Sequence, residues 1–149
     1  MRIALDTNVL AHAEGTNGDT KRDQTLEILG NLPQQHLVLP VQTLGELFNV
    51  LVRKAGRTSR HARAAVLSWR DAFTVTETSQ AVMVGAADLA AEHGLSIWDA
   101  VVLCTAAEAG CRLLLSEDLQ DGFIWGGVTV ANPYASALHP LLAARLKGQ

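Results

Sequence analysis

Residues Cys111-Arg112-Leu113-Leu114-Leu115 run directly into Ser116-Glu117-Asp118-Leu119-Gln120-Asp121-Gly122. The first five form the densest apolar strand signal in the chain, the kind buried on both faces of a parallel sheet. The polar stretch after them puts carboxylates where that strand ends. Working outward, strand-length apolar runs recur at Arg2–Leu5, His36–Leu39, Thr74–Thr76 and Val128–Val130, and helix-period stretches lie between them. The helices are predicted from about Thr7, from Lys21 to Leu32, from Pro40 to near Gly56, from Thr58 or Ser59 to Phe73, from Ser79 to Glu92, from Ser96 to Gly110, and at the C-terminus to near Lys147. This alternation predicts an α/β domain on a central, mainly parallel sheet flanked by helices. No repeat, linker or low-complexity tract interrupts it, so residues 1–149 are expected to form one domain.

With 149 residues and 48% hydrophobic content, the chain is long enough to bury a core without disulfides or a structural metal. The two cysteines, Cys104 and Cys111, lack a matching His pair and read as reduced thiols. The longest apolar stretches fall short of the roughly 18 residues that span a bilayer. Asp6 interrupts the N-terminus before a signal peptide could develop, which predicts a cytoplasmic protein.

The acids are informative by position. Asp6 follows Ile3-Ala4-Leu5, and Asp118 and Asp121 follow the Leu113–Leu115 run, so all three sit beyond the carboxyl ends of predicted strands, where parallel sheets bind ligands. Asp99 joins them if its helix opens at the same edge. Glu46 lies on a polar seam with Gln42, Asn49 and Arg53 on an otherwise apolar helix, one and a half turns in, so it can reach back toward Asp6. Clustered carboxylates repel and raise one another's pKa unless a cation intervenes. The fitting occupant is a hard divalent ion, Mg²⁺ or Mn²⁺. Each acid also has a purely structural reading: Asp6 as a helix N-cap, Asp99 in a capping box with Ser96, Asp121-Gly122 as a turn, Glu46 as a surface partner of Arg53.

Four motifs stand in order: Asp6-Thr7-Asn8-Val9-Leu10, Gln42 to Glu46, Ser96-Ile97-Trp98-Asp99-Ala100 and Leu115 to Gly122. In this set the sequence resembles the PIN-domain ribonucleases, and within them the VapC-type toxins of bacterial toxin–antitoxin pairs. The resemblance implies a three-layer PIN-like fold and a catalytic quartet of Asp6, Glu46, Asp99 and Asp118. Asp6, Asp99 and Asp118 would be the metal ligands, Asn8 and Ser116 polar supports, and Asp121 a fifth candidate acid. Glu117 is the competitor for the Asp118 position; Asp118 is preferred because Glu117 would point to the opposite side of a continuing strand. The resemblance further implies an RNA substrate, a cognate antitoxin and a homodimer.

Net charge is −3, which by itself disfavours nucleic acid. The distribution reverses that reading. Leu47 to Arg70 holds Arg53, Lys54, Arg57, Arg60, Arg63 and Arg70 and no acid, leaving six basic against fifteen acidic residues elsewhere. Such an arm, with Arg53, Arg57 and Arg60 foremost, suits RNA phosphates; a solvated helix face or an acidic protein partner is the plainer account. No nucleophile triad is legible among the five histidines, and His12 and His61 are expected to be solvated or partner-facing. Leu47, Phe48, Leu141, Leu142 and Leu146 could line a partner groove but read more simply as core. Two other function classes compete: a phosphohydrolase with Asp6 as nucleophile, which would want an acid where Asn8 stands, and a non-catalytic binding module on a doubly wound sheet.

Overall fold

The computed structural model describes residues 1–147; the last two residues of the expected 1–149 domain lie outside the described residues. Six strands form one sheet: β1 (Arg2–Leu5), β2 (Leu37–Pro40), β3 (Thr74–Thr76), β4 (Cys111–Leu115), β5 (Ile124–Trp125) and β6 (Val128–Ala131). Their order is β3-β2-β1-β4-β6-β5, parallel throughout except for the β5–β6 pair. The helices are α1 (Thr7–Ala13), α2 (Asp19–Gly30), α3 (Val41–Arg53), α4 (Ser59–Ala72), α5 (Gln80–His93), α6 (Ile97–Glu108) and α7 (Pro140–Lys147).

Alternate strand residues serve two separate cores. Ile3, Leu5, Leu37, Leu39, Leu113 and Leu115 face one side and pack with side chains of α1, α3, α4 and α7. Ala4, Val38, Leu114 and Val130 face the other and pack with α5 and α6. The result is a three-layer α/β fold with the central strands buried on both faces, as the Leu113–Leu115 run requires. After β1 the chain moves outward through β2 to β3, then returns past β1 to β4. The β1–β4 boundary is therefore the topological switch point, where a crevice opens at the strand C-termini.

Local chemistry explains the boundaries. Thr58, Ser79 and Ser96 cap α4, α5 and α6 by accepting from backbone N–H groups in the first turn. Gly94 ends α5 in the left-handed conformation, φ 68°. The sequence reading omitted β5. Trp125 pairs with Val128 across Gly126 and Gly127, both at positive φ, which is the two-residue hairpin that paired glycines favour. On α3 the fully buried apolar positions are Leu47 and Leu51, with Phe48 packed beside them, and Leu142 of α7 is equally buried. The groove reading of Leu47 and Leu142 thus gives way to core, and Phe48, Leu141 and Leu146 pack against the same cluster.

Candidate active site

The site starts from the ladder. Asp6 N–H donates to Leu115 C=O (3.0 Å) and Ser116 N–H to Ala131 C=O (3.1 Å), so the first residues beyond β1 and β4 leave the sheet side by side. Asp6 caps α1, its Oδ1 accepting from the Thr7 N–H at 2.8 Å, and its Oδ2 accepts from Ser116 Oγ at 2.7 Å. Asn8 binds the two loops together. Its Nδ2 lies 3.3 Å from Asp6 Oδ2, 3.2 Å from Ser116 Oγ and 3.2 Å from Asp118 Oδ2, while its Oδ1 accepts from the Glu117 N–H. A second acid at this position would repel both carboxylates, whereas the amide donates to them.

Glu46 reaches in from the second turn of α3, and Thr7 Oγ1 donates to its Oε1 at 3.1 Å. Asp99 stands in the first turn of α6 with its N–H on Ser96 Oγ (3.1 Å). Asp6, Glu46 and Asp99 each feel the charge of other acids in the set. Burial pushes the Asp6 carboxyl up to about 6 against the pull of its hydrogen bonds, and the charges of Asp99 and Asp118 push the same way. Burial likewise raises Glu46 to about 7, with Asp6 and Asp99 adding to it. Asp99 is raised by burial and by Asp118. The capping role of Asp6 is real, and on α6 the cap is Ser96, which accepts from the Asp99 N–H; neither explains the repulsion among the acids.

This oxygen-only, over-acidic donor set matches a hard divalent cation. Among the described residues no three His, Cys, Asp or Glu side chains are gathered into a ready-made ligand cage. Mg²⁺ does not need one, because it keeps several waters and takes one or two direct carboxylates.

Other sequence-predicted residues lie elsewhere. Asp121 Oδ1 accepts from the Asn132 N–H at 2.9 Å, anchoring the turn after β6, and it is not among the charges acting on Asp6, Glu46 or Asp99. Glu117 lines the same cleft as Asp118 but is tied to α1 and α2. Its carboxylate pairs with His12 Nε2 and lies 3.6 Å from Lys21 Nζ. That corrects the expectation for His12, which is only 4% exposed: Glu117, Asn17 and the edge of the Tyr134 ring enclose it. His61 is exposed. In the basic segment Arg53, Lys54, Arg60 and Arg63 are exposed on the α3–α4 hairpin. Arg57 departs from the pattern. Its Nη1 pairs with Glu14 Oε1 and its Nη2 donates to Glu14 C=O, both at 2.7 Å, and Trp69 Nε1 donates to Glu14 Oε2 at 2.8 Å. Arg70 pairs with Asp71. Glu14 carried no sequence signal, since its partners are 43 and 55 residues away.

Two clefts flank Glu46. One, about 490 Å³, is lined by Thr7, Asn8, Glu46, Asn49, Lys54 and Asp118 among others. The second, about 680 Å³, includes Gln42, Glu46, Asn49, Met83 and Trp98. A more apolar groove of about 580 Å³ between α2 and α4, with Leu26, Leu29, Trp69 and Phe73, contains none of the four acids.

The model of the PIN domain family matches residues 3–120. The chain belongs to the PIN-domain family. No curated protein matches it by sequence. Its PIN fold is shared with the solved structure of Mycobacterium tuberculosis VapC20, described as a toxin that cleaves the sarcin–ricin loop, at TM-score 0.66 and 21% identity over 78% of this chain and 91% of that one. A toxin–antitoxin complex from Klebsiella pneumoniae gives 0.65 and 24% over 89% and 98%. FitAcB from Neisseria gonorrhoeae gives 0.66 and 18% over the same shares. No helix among the described residues of this PIN domain is long and apolar enough to cross a membrane.

Proposed function

We propose that this PIN domain is a cytoplasmic, divalent-metal-dependent endoribonuclease, the toxin of a toxin–antitoxin pair. The observation that carries the reading is the convergence of Asp6, Glu46, Asp99 and Asp118 on the crevice beyond β1 and β4, close enough that the charges of Asp99 and Asp118 act on Asp6 and those of Asp6 and Asp99 on Glu46. Asp6, Asp99 and Asp118 would hold the ion, with Asn8 and Ser116 fixing Asp6 and Asp118 in place. When bound, Mg²⁺ or Mn²⁺ supplies the positive charge this crevice lacks and acidifies a water beside the phosphate. Glu46, held by Thr7 Oγ1 at the edge of the site, would orient the attacking water and take its proton. Arg53 and Arg60, exposed on the adjoining hairpin, draw in the RNA backbone. Two of the structural relatives are toxins or toxin complexes by description, which supports a cognate antitoxin as partner; a homodimer is what the family resemblance implies.

The test is cleavage of RNA by purified protein with Mg²⁺ or Mn²⁺, with chelator as control, comparing wild type with Asp6→Asn and Asp99→Asn. Both substitutions keep shape and remove charge. The expected loss is roughly 100-fold or more in kcat/KM for each. Metal-independent cleavage, or full activity in both variants, would overturn the assignment.

A further inference from the structure

Trp98 is 50% exposed, whereas Trp69 is 8% exposed, and an indole left half in water calls for a reason. The fold does not supply one. Neither Trp98 nor its cleft neighbour Met83, 38% exposed, joins either core cluster, while Ile97 next to it packs on the α5–α6 side of the sheet. Trp98 stands in the first turn of α6, one position before Asp99, and shares its cleft with Glu46. Glu46 and Asn49 line both this cleft and the one containing Lys54 and Asp118. A strand laid across Glu46 therefore has a cation on one side and an aromatic ring on the other.

From this geometry we infer that the Trp98 cleft is a subsite for a single unpaired nucleobase of the substrate, stacked on the indole beside the scissile phosphate. The inference rests on the nuclease reading above and adds to it a contact for one base, which has to be unstacked to present its face to the ring. The divalent ion this site would hold and the exposed hairpin cations act on phosphates alone, so a contact to the base itself has to come from another group, and stacking on an indole is one. The cleft volume of about 680 Å³ lies in the ~300–1,000 Å³ range of small-ligand sites. Its polar wall includes the amides of Asn49 and Gln42, whose donors and acceptors suit a base edge.

The experiment titrates a fluorescent ten-nucleotide single-stranded RNA with Asp6→Asn protein, alone and combined with Trp98→Ala or Trp98→Phe, and measures cleavage by wild type and Trp98→Ala in parallel. Trp98→Ala should weaken binding about 5- to 100-fold, Trp98→Phe should retain it within a few-fold, and in the active enzyme Trp98→Ala should raise KM more than it lowers kcat. Unchanged binding and cleavage in Trp98→Ala would overturn the base site and leave the nuclease reading intact. A weaker binding that coincides with a changed sedimentation coefficient would also overturn it, assigning the indole to a protein–protein contact. RNA bound through Trp98 but not cut by wild type would leave the base site standing and remove the nuclease; no binding by any of the proteins would remove the base site.

Discussion

The crevice at the ends of β1 and β4 and the α3–α4 hairpin meet on one helix, yet their charges are held in opposite ways. In the crevice Asp6 is 4% exposed and Ser116 fully buried, and like charges are pressed together against donors from Thr7, Asn8 and Ser116. On the hairpin Arg53, Lys54, Arg60 and Arg63 are spread in solvent, so their repulsion is screened and costs little. The one hairpin cation withdrawn from water, Arg57, has its own carboxylate. Carboxylates gathered and raised by burial and by one another mark a candidate reaction site, whereas exposed cations act at longer range on whatever approaches. Removing charge should therefore have contrasting effects in the two places.

The largest contrast is at Asp6. Asp6→Asn is expected to abolish most cleavage while making the metal-free protein more stable at neutral pH, a split that a merely structural capping residue would not give. The sign follows from the shift. The Asp6 carboxyl titrates at about 6 when folded and near 3.8 when unfolded, so between those values the folded chain holds a proton that the unfolded chain has released. Stability from this group is fully present below the lower value and is lost as pH rises through the upper one. Glu46, raised to about 7, and Asp99 act in the same direction. The Asp6 contribution is roughly 1–3 kcal/mol, or about 4–12 °C in melting temperature. In calorimetry without divalent metal, wild type should therefore lose ground to Asp6→Asn as pH is raised from about 4 to about 7.5. Adding Mg²⁺ or Mn²⁺ at pH 7.5 should close that gap for wild type and leave Asp6→Asn unmoved. Parallel melting curves for the two proteins at every pH would show that the repulsion is not there.

How much of this was legible from residues alone follows the range of each interaction. β4 and β1 were readable because strands buried on both faces carry an uninterrupted apolar signature, and the crevice was readable because a parallel sheet collects whatever follows its strands. Glu46 was readable from the helical period, which isolates a polar stripe on a helix whose Leu44, Leu47 and Leu51 are buried. β5 was missed although Gly126-Gly127 announces its turn, since two residues are too short for a periodic pattern. The pairing of His12 with Glu117 spans 105 residues and that of Glu14 with Trp69 spans 55; no local pattern specifies either, because each depends on which loops the sheet brings together.

The hairpin itself can be dissected by the smallest of the expected effects. Arg57 and Arg60 look alike in the sequence, three residues apart in one basic run. In the fold Arg57 ties the turn between α3 and α4 to the end of α1 through Glu14, which also holds the Trp69 indole, while Arg60 points its charge into solvent on the first turn of α4. Arg57→Ala should destabilise the protein by roughly 1–2 kcal/mol, since it leaves a half-buried carboxylate with one donor fewer. It should alter the salt dependence of RNA binding little. Arg60→Ala should move stability by less than about 0.5 kcal/mol and reduce the slope of log K against log salt by about 0.7, the share of one phosphate contact on a single strand. Denaturant melts and RNA titrations between 50 and 200 mM salt on the two variants separate the roles. If Arg57→Ala flattens the slope as much as Arg60→Ala does, the Glu14 pair opens when RNA arrives, and the hairpin cations act as one set.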